Sequence, residues 1–205
     1  LYQLAERLGI SWEAFVGSGA NDGVVQRVIG QMFWLYLGAA ILTLTVRRGA
    51  WIQMALLVMS SGLLAVVAYA KYLGAESQLP MLLELAGQVL SPSLLVLALT
   101  LGARHRITII VTMLAVIMTF AGHGAYAVGW WPTPGVFYGM ITKILNVDYE
   151  TVVRILFAAG ALDFVVCLAV LFPISRRPAA FYATLWGLAT ALARPIAGMD
   201  STLHY

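Results

Sequence analysis

Two ionisable side chains lie well inside apolar stretches in which the only other charged residue, Arg154, stands near one end. His123 stands between two glycines in the stretch 107–129, and Asp163 lies in the stretch 152–172. A titratable group inside a membrane costs enough free energy that its presence points to a function or to a partner. Imidazole ligates metals and exchanges protons near neutral pH, and a carboxylate orients an imidazole or accepts its hydrogen bond. These two residues are therefore the first candidates for a site.

Three roles are open for these residues. As a structural pair, Asp163 accepts a hydrogen bond from one ring nitrogen of His123 and fixes the register of two helices. As a proton or ion path, the two residues act together with Arg194, which lies near the end of the last apolar stretch. As a ligand site, the second ring nitrogen of His123 is free to bind another group.

The candidate ligand site combines His123 with Tyr126. The glycines on either side of the histidine, Gly122 and Gly124, allow a planar ring to approach the backbone. Haem, chlorophyll and a quinone headgroup are the cofactors that a neutral histidine would bind here. No metal-ion site is predicted, because no cluster of ligating side chains accompanies the histidine.

The composition is that of a polytopic membrane protein. Hydrophobic residues make up 61% of the 205 residues and charged residues only 10%, whereas about a quarter of a soluble domain is charged. The single cysteine, Cys167, excludes an internal disulfide and a CxxC metal or redox site. The sequence contains no nucleotide-binding loop, HExxH or GxSxG motif. It therefore predicts neither a catalytic residue nor a nucleic-acid partner.

Charged residues divide the chain into apolar stretches that predict an all-α fold. Each stretch has about the 20 residues that a helix needs to cross the hydrocarbon of a bilayer. We predict six transmembrane helices, arranged as three hairpins in a single bundle of residues 28–205. The predicted spans are 28–46, 50–71, 82–103, 107–129, 152–172 and 178–196. A short interfacial helix and a loop are predicted in residues 1–27, and a short apolar segment, 135–146, precedes the fifth span, for which Asp148 is the expected N-cap.

Basic residues at three turns predict how the chain is oriented in the membrane. The turns contain Arg47 and Arg48, Arg104 and Arg106, and Arg176 and Arg177, with no acidic residue among them. The positive-inside rule places such turns in the cytoplasm. We therefore predict a protein of the bacterial inner membrane with both termini outside.

This orientation gives His123 and Asp163 similar depths below the outer interface. His123 lies seven residues before Trp130, which is roughly 10 Å of helix. Asp163 lies nine residues after Arg154, which is roughly 13 Å. Antiparallel helices joined by a modest loop usually pack together. We therefore expect the two side chains to lie within reach of each other.

Three motifs mark the second half of the chain. They are Phe120-Ala121-Gly122-His123-Gly124, Ala159-Gly160-Ala161-Leu162-Asp163-Phe164 and Arg176-Arg177-Pro178-Ala179-Ala180. In order, they make a helix with a glycine-bearing polar end, a helix with a G-x-x-acid step, and a basic turn before an alanine-rich helix. This half of the chain resembles the DoxX-like family of small bacterial membrane proteins. The resemblance implies a four-helix bundle, a membrane subunit of quinone-linked sulfur oxidation and a functional position for Asp163, whereas the six predicted spans depart from that bundle.

These features predict an integral membrane accessory or structural subunit of a larger assembly, of a redox or energy-transducing kind. Its predicted partners are the lipid bilayer and other membrane protein subunits. The small-residue pairs Ala121 with Ala125 and Gly187 with Ala191 suit close packing between helices. The alternative is a small transporter or a quinone-reactive, cofactor-binding protein that uses the histidine and aspartate described above.

Overall fold

The computed structural model describes Glu6, Gly9 and residues 11–13 and 20–198, without the side chains of 20–26, 28, 29 and Arg194. Every regular element in these ranges is an α-helix, as predicted. The helices are α1 (Ala20–Thr45), α2 (Trp51–Gly74), α3 (Leu79–Glu84), α4 (Ala86–Thr100), α5 (Arg106–Ala127), α6 (Gly135–Leu145), α7 (Tyr149–Ala169) and α8 (Arg176–Ile196). Most of the predicted N-terminal interfacial segment lies outside the described residues.

Four helical segments are long and apolar enough to cross a membrane. They are Trp51–Gly74, Leu79–Thr100, Arg106–Ala127 and Tyr149–Ala169. Each lies within three residues, at both ends, of the span predicted from the charge pattern. In α1 the apolar part is the shorter segment Gly30–Thr45, and α8 is not among the four segments. The chain is thus an all-helical protein whose composition suits a multi-pass membrane protein.

Helix α1 begins earlier than predicted. Residues Ala20 to Arg27 were expected to form a loop, because Asn21 and Gly23 are poor helix formers, but they belong to α1. A glycine in a helix interior costs only about 1 kcal/mol relative to alanine. That penalty is small enough for a long apolar helix, once formed, to extend through these residues.

The long helices pack mainly on their neighbours in the sequence. Helix α1 packs on α2, α2 packs on α3 and α4, and α5 packs on α3 and α4 and on α7. The short helix α6 packs against α7 and α8, and α8 also contacts α7. Helix α5 therefore lies at the centre of a row of helices, with α3 and α4 on one side and α7 on the other.

The apolar segment Leu79–Thr100, which comprises α3 and α4, is interrupted at two places. Neighbouring helices supply the missing hydrogen bonds. The break between α3 and α4 leaves the Gly87 amide at the start of α4, where it donates to Thr119 Oγ1 of α5 at 2.8 Å. Pro92 lies inside α4. One residue later, the Ser93 amide donates to Ser61 Oγ of α2 at 3.1 Å. Backbone groups freed by a proline or a break need such partners, because hydrocarbon offers none.

Basic side chains from the turns bind the carboxyl ends of two helices. Arg48 Nε donates to the Leu99 carbonyl at 2.8 Å, near the end of α4. Arg176 Nε donates to the Val170 carbonyl at 3.1 Å, just beyond the end of α7. The last carbonyls of a helix lack intrahelical partners and carry partial negative charge, which favours a cation there. The arginines that predict membrane orientation thus also stabilise helix ends.

The start of α7 is fixed by Asp148, as the sequence predicted. The Asp148 carboxylate accepts a hydrogen bond from the Thr151 amide at 2.8 Å, which is N-cap geometry. This bond, together with one from the Thr151 hydroxyl, lowers the pKa of the Asp148 carboxyl. The preceding apolar segment forms α6, whose Phe137 and Tyr138 pack on the buried residues Val152 and Leu156 of α7 and on Ala127 at the end of α5.

We expect Ser61→Ala to destabilise the protein. Ser61 is buried, and its hydroxyl accepts hydrogen bonds from both the amide and the hydroxyl of Ser93. Without this hydroxyl the Ser93 amide lacks that acceptor, which lowers the free energy of unfolding by about 1–3 kcal/mol. Thermal unfolding of the purified protein in detergent measures the effect. The matched control is Ser60→Ala, because the Ser60 hydroxyl bonds only within α2; equal melting temperatures for the two variants would contradict the assignment.

Candidate functional site

The structure brings His123 and Asp163 into direct contact. His123 Nδ1 lies 2.7 Å from Asp163 Oδ2, a length found in charge-assisted hydrogen bonds. The Asp163 side chain is fully buried, whereas 26% of the His123 side chain is exposed. The pair therefore connects a buried carboxylate on α7 to the surface of the helix row through the imidazole on α5.

Two glycines bring α5 and α7 close enough for this contact. A Cβ at Gly160 would lie 2.9 Å from both the Gly124 carbonyl oxygen and the Ala127 Cβ, and a Cβ at Gly124 would lie 3.2 Å from the Asp163 Cβ. These distances are too short for a larger residue without movement of the backbone. One turn beyond the aspartate, Cys167 Sγ donates to the Ile117 carbonyl at 3.4 Å. The close crossing of the two helices thus brings the His123 and Asp163 side chains within hydrogen-bonding distance.

The second oxygen of the carboxylate has no hydrogen bond within the described part of the chain. Asp163 Oδ1 and the indole nitrogen of Trp186, on α8, are both buried and unpaired there. The indole N–H faces the carboxylate but does not reach hydrogen-bonding geometry. Tyr182 stacks on Trp186 with ring centroids 6.3 Å apart. Aromatic side chains of α8 therefore close the site on the side away from His123.

The imidazole ring of His123 also packs against α6. The ring of Phe137 is 4.9 Å from the His123 ring, centroid to centroid, at an interplanar angle of 33°. His123 Nε2 makes no hydrogen bond to any side chain or backbone group that the structure describes. The arrangement leaves one ring nitrogen bound to Asp163 and the other on the partly exposed side of the histidine.

The space beside Gly122 and Gly124 is filled by neighbouring helices, which leaves no room for a planar cofactor against the backbone there. A Cβ at Gly122 would lie 2.4 Å from the Glu84 amide nitrogen and 2.6 Å from the Pro80 carbonyl oxygen. Helix α3 therefore packs directly on one glycine, as α7 packs on the other. Haem or chlorophyll cannot use these faces. The residues around the histidine do not fit a macrocycle, and no step is assigned to one.

Tyr126, the second residue predicted to bind a cofactor, is buried and contacts the same Phe137 ring as His123. Its side chain is 1% exposed. Its hydroxyl faces the α3 side, where Met81 and Glu84 are its polar surroundings. The Tyr126 ring also packs on Phe137 of α6, with ring centroids 6.4 Å apart. The tyrosine therefore contacts both α3 and α6, and its role in binding a cofactor stays a prediction.

The third predicted partner, Arg194, has its side chain outside the described residues. Its backbone lies in the last turn of α8, eight residues after Trp186, which is about 12 Å along a helix. The residue of α8 that faces Asp163 is Trp186. Trp186 was not among the predicted site residues, and its position within the amphipathic helix α8 is the signal in the sequence that could have indicated it.

The chemistry open to this arrangement is proton binding and hydrogen bonding. A carboxylate bound to one imidazole nitrogen fixes the ring orientation and its tautomer. The described residues contain no group of three or more His, Cys, Asp or Glu side chains that could hold a metal ion. Cys167 is buried, so it is shielded from reagents in solution.

We expect Gly160→Ala to destabilise the crossing of α5 and α7. The new methyl group would lie within 2.9 Å of three atoms on α5 and the turn after it, and overpacking of this kind costs about 1–3 kcal/mol. Thermal unfolding in detergent measures the loss. Gly187→Ala is the control, because a Cβ there meets nothing within 4 Å. A Gly160→Ala protein as stable as the parent would show that the crossing is not tight.

Comparison of this chain with protein-family models, with curated proteins and with solved structures finds no match. The resemblance of the second half to the DoxX-like family therefore remains a prediction from its motifs.

Proposed function

We propose that this protein is an integral membrane subunit that packs against other membrane proteins in a larger assembly. The observation that carries the proposal is how little of each span the chain itself covers. In the four apolar segments, between 17% and 28% of the most apolar window is buried. A row of helices in which each packs mainly on its neighbours has two broad apolar faces. Lipid covers such faces, and so do partner helices.

Helix α8 carries the face best suited to a partner. It packs against α6 and α7, and large apolar side chains follow one another along its exposed side. These are Phe181, Leu185, Leu188, Leu192 and Ile196. Gly187 is also exposed, about 100° around the helix from Leu188; it has open space where a Cβ would lie, and Ala191 is one turn further. Small residues spaced by four allow two helix backbones to approach closely in a membrane.

The finer topology belongs to the same proposal. Helices α1 and α8 have 26 and 21 residues, which is enough length for a fifth and a sixth crossing at about 1.5 Å per residue. The arginine turns would then lie in the cytoplasm and both termini outside the bacterial inner membrane. The motifs shared with DoxX-like proteins support a redox or energy-transducing assembly.

We expect Gly187→Leu to weaken the assembly without unfolding the chain. A leucine at this position would block the close approach of a partner helix, whereas nothing within the chain lies close enough to clash. Native mass spectrometry of complexes extracted from the source membrane in mild detergent measures the fraction of assembled protein. The matched control is Gly62→Leu on α2, which also has open space around it and which should keep the assembly intact.

Two outcomes would count against this proposal. A parent protein that is extracted as a monodisperse monomer with no co-purifying protein removes its basis. An assembly that survives Gly187→Leu unchanged removes the part assigned to α8.

A second candidate function is a small transporter or a quinone-reactive protein. The observation that favours it is the fully buried Asp163 carboxylate, whose one hydrogen bond among the described residues is to His123. Ionisable residues inside membrane segments are costly and are found at proton relays and ion pathways. The pair would supply or accept the proton that accompanies transport or quinone turnover.

For this second function, Asp163→Asn should abolish transport or quinone turnover in proteoliposomes and leave the yield of folded protein intact. Asparagine keeps the size of the side chain but cannot exchange the proton. Asp148→Asn is the control, because asparagine is an equally good N-cap and position 148 lies outside the buried pair. Full activity of Asp163→Asn would eliminate this candidate.

A further inference from the structure

Two buried polar atoms face each other between α7 and α8. Asp163 Oδ1 and Trp186 Nε1 are both inaccessible from the surface, and neither has a hydrogen-bond partner within the described residues. The indole N–H is directed at the carboxylate. An indole nitrogen only donates a hydrogen bond, whereas a carboxylate oxygen accepts one. The two atoms are therefore a matched donor and acceptor that do not bond to each other.

Burial makes it costly to leave these atoms unpaired. The Asp163 side chain has no exposed surface, and the hydrocarbon of a bilayer offers no hydrogen-bonding group. Native proteins pair nearly all such atoms, either with other protein groups or with ordered water. Oδ1 and the indole N–H are therefore both expected to have a partner in the folded protein.

The other described side chains around the carboxylate do not supply that partner. One turn further along α7, Val166 packs with Ala179 of α8 in an apolar cluster. The Cys167 thiol donates to the Ile117 carbonyl of α5. The bond from His123 goes to the other carboxylate oxygen, Oδ2. The partner of Oδ1 therefore has to be a small molecule that fits between the two helices.

A third polar group stands beside the same two atoms. Tyr182 lies one turn before Trp186 on α8, and their rings stack at an interplanar angle of 13°. The Tyr182 hydroxyl is near enough to Asp163 to interact with its charge. A hydroxyl both donates and accepts, and a buried water typically makes about three hydrogen bonds to otherwise unpaired groups. An acceptor, a donor and a group that can act as either thus come together here.

We propose that Asp163 Oδ1, Trp186 Nε1 and the Tyr182 hydroxyl form a binding site for one water molecule between α7 and α8. The water accepts from the indole and donates to the carboxyl oxygen, and it joins α8 to the crossing of α5 and α7. A chain of hydrogen bonds then runs from the partly exposed His123 through Asp163 to α8. The site takes water and not a cation, because an indole N–H cannot ligate a metal ion. This inference does not depend on whether the protein is a subunit or a transporter.

The water is tested by NMR of protein with nitrogen-15 in its tryptophan side chains, in lipid nanodiscs. The chain has six tryptophans, so the Trp186 signal is identified by its loss in Trp186→Phe. If that variant does not fold, single phenylalanine substitutions of the other five tryptophans identify the signal by elimination. We expect dipolar transfer from water to the Trp186 indole hydrogen. Opposite signs of the laboratory-frame and rotating-frame transfers distinguish a bound water from exchange of the hydrogen itself.

The absence of dipolar transfer would overturn the proposal, because the indole would then bond directly to the carboxylate or to nothing.

The part played by the carboxylate is tested in the same experiment. Asp163→Leu removes both oxygens, and the transfer to the Trp186 hydrogen should be lost. If this variant does not fold, Asp163→Asn, which keeps one oxygen, should shift the Trp186 indole resonance, because the group that binds the water has changed. Asp148→Asn is the control and should leave that resonance in place. Transfer that persists in Asp163→Leu, or an unchanged resonance in Asp163→Asn, would overturn the site.

Discussion

The close crossing of α5 and α7 at Gly124 and Gly160 is the constraint on which the site depends. Because neither residue has a side chain, the two helix backbones approach until a Cβ at Gly160 would stand 2.9 Å from the Gly124 carbonyl oxygen. At that separation the imidazole of His123 reaches the carboxylate of Asp163. The same crossing buries the Asp163 carboxylate completely. The hydrogen bond to His123 therefore both stabilises the carboxylate and connects it to the surface of the helix row.

Elsewhere in the fold, backbone polar groups that lie away from water are also hydrogen-bonded by neighbouring segments. The interrupted segment α3 and α4 binds hydroxyl groups of both neighbours, through Thr119 and Ser61. Arginine side chains bind the carbonyls at the ends of α4 and α7. Each of these bonds joins different segments of the chain, so the helices depend on one another for their backbone hydrogen bonds. A loosened crossing at the centre of the row would affect more than the site.

The row of helices combines a tight, polar centre with open apolar faces, and the proposed functions follow from these two properties. The open faces require lipid or partner helices, which favours a subunit of an assembly. The buried Asp163 carboxylate requires a hydrogen-bond partner, which the partly exposed His123 supplies. A subunit that places this histidine beside its partners or lipids would satisfy both observations.

Much of the architecture was determined by the sequence itself. Of the six spans predicted from the spacing of charged residues, four correspond to long apolar helical segments within three residues of the predicted bounds. Helix rise alone predicted that His123 and Asp163 lie at similar depths. The start of α1, the packing against Gly122 and the approach of Trp186 to Asp163 were decided only by the tertiary structure. The physical reason is that helices apolar on all sides carry little periodic signal for their rotation about the axis. Depth follows from counting residues, whereas the neighbour that each face meets depends on how all the helices pack together.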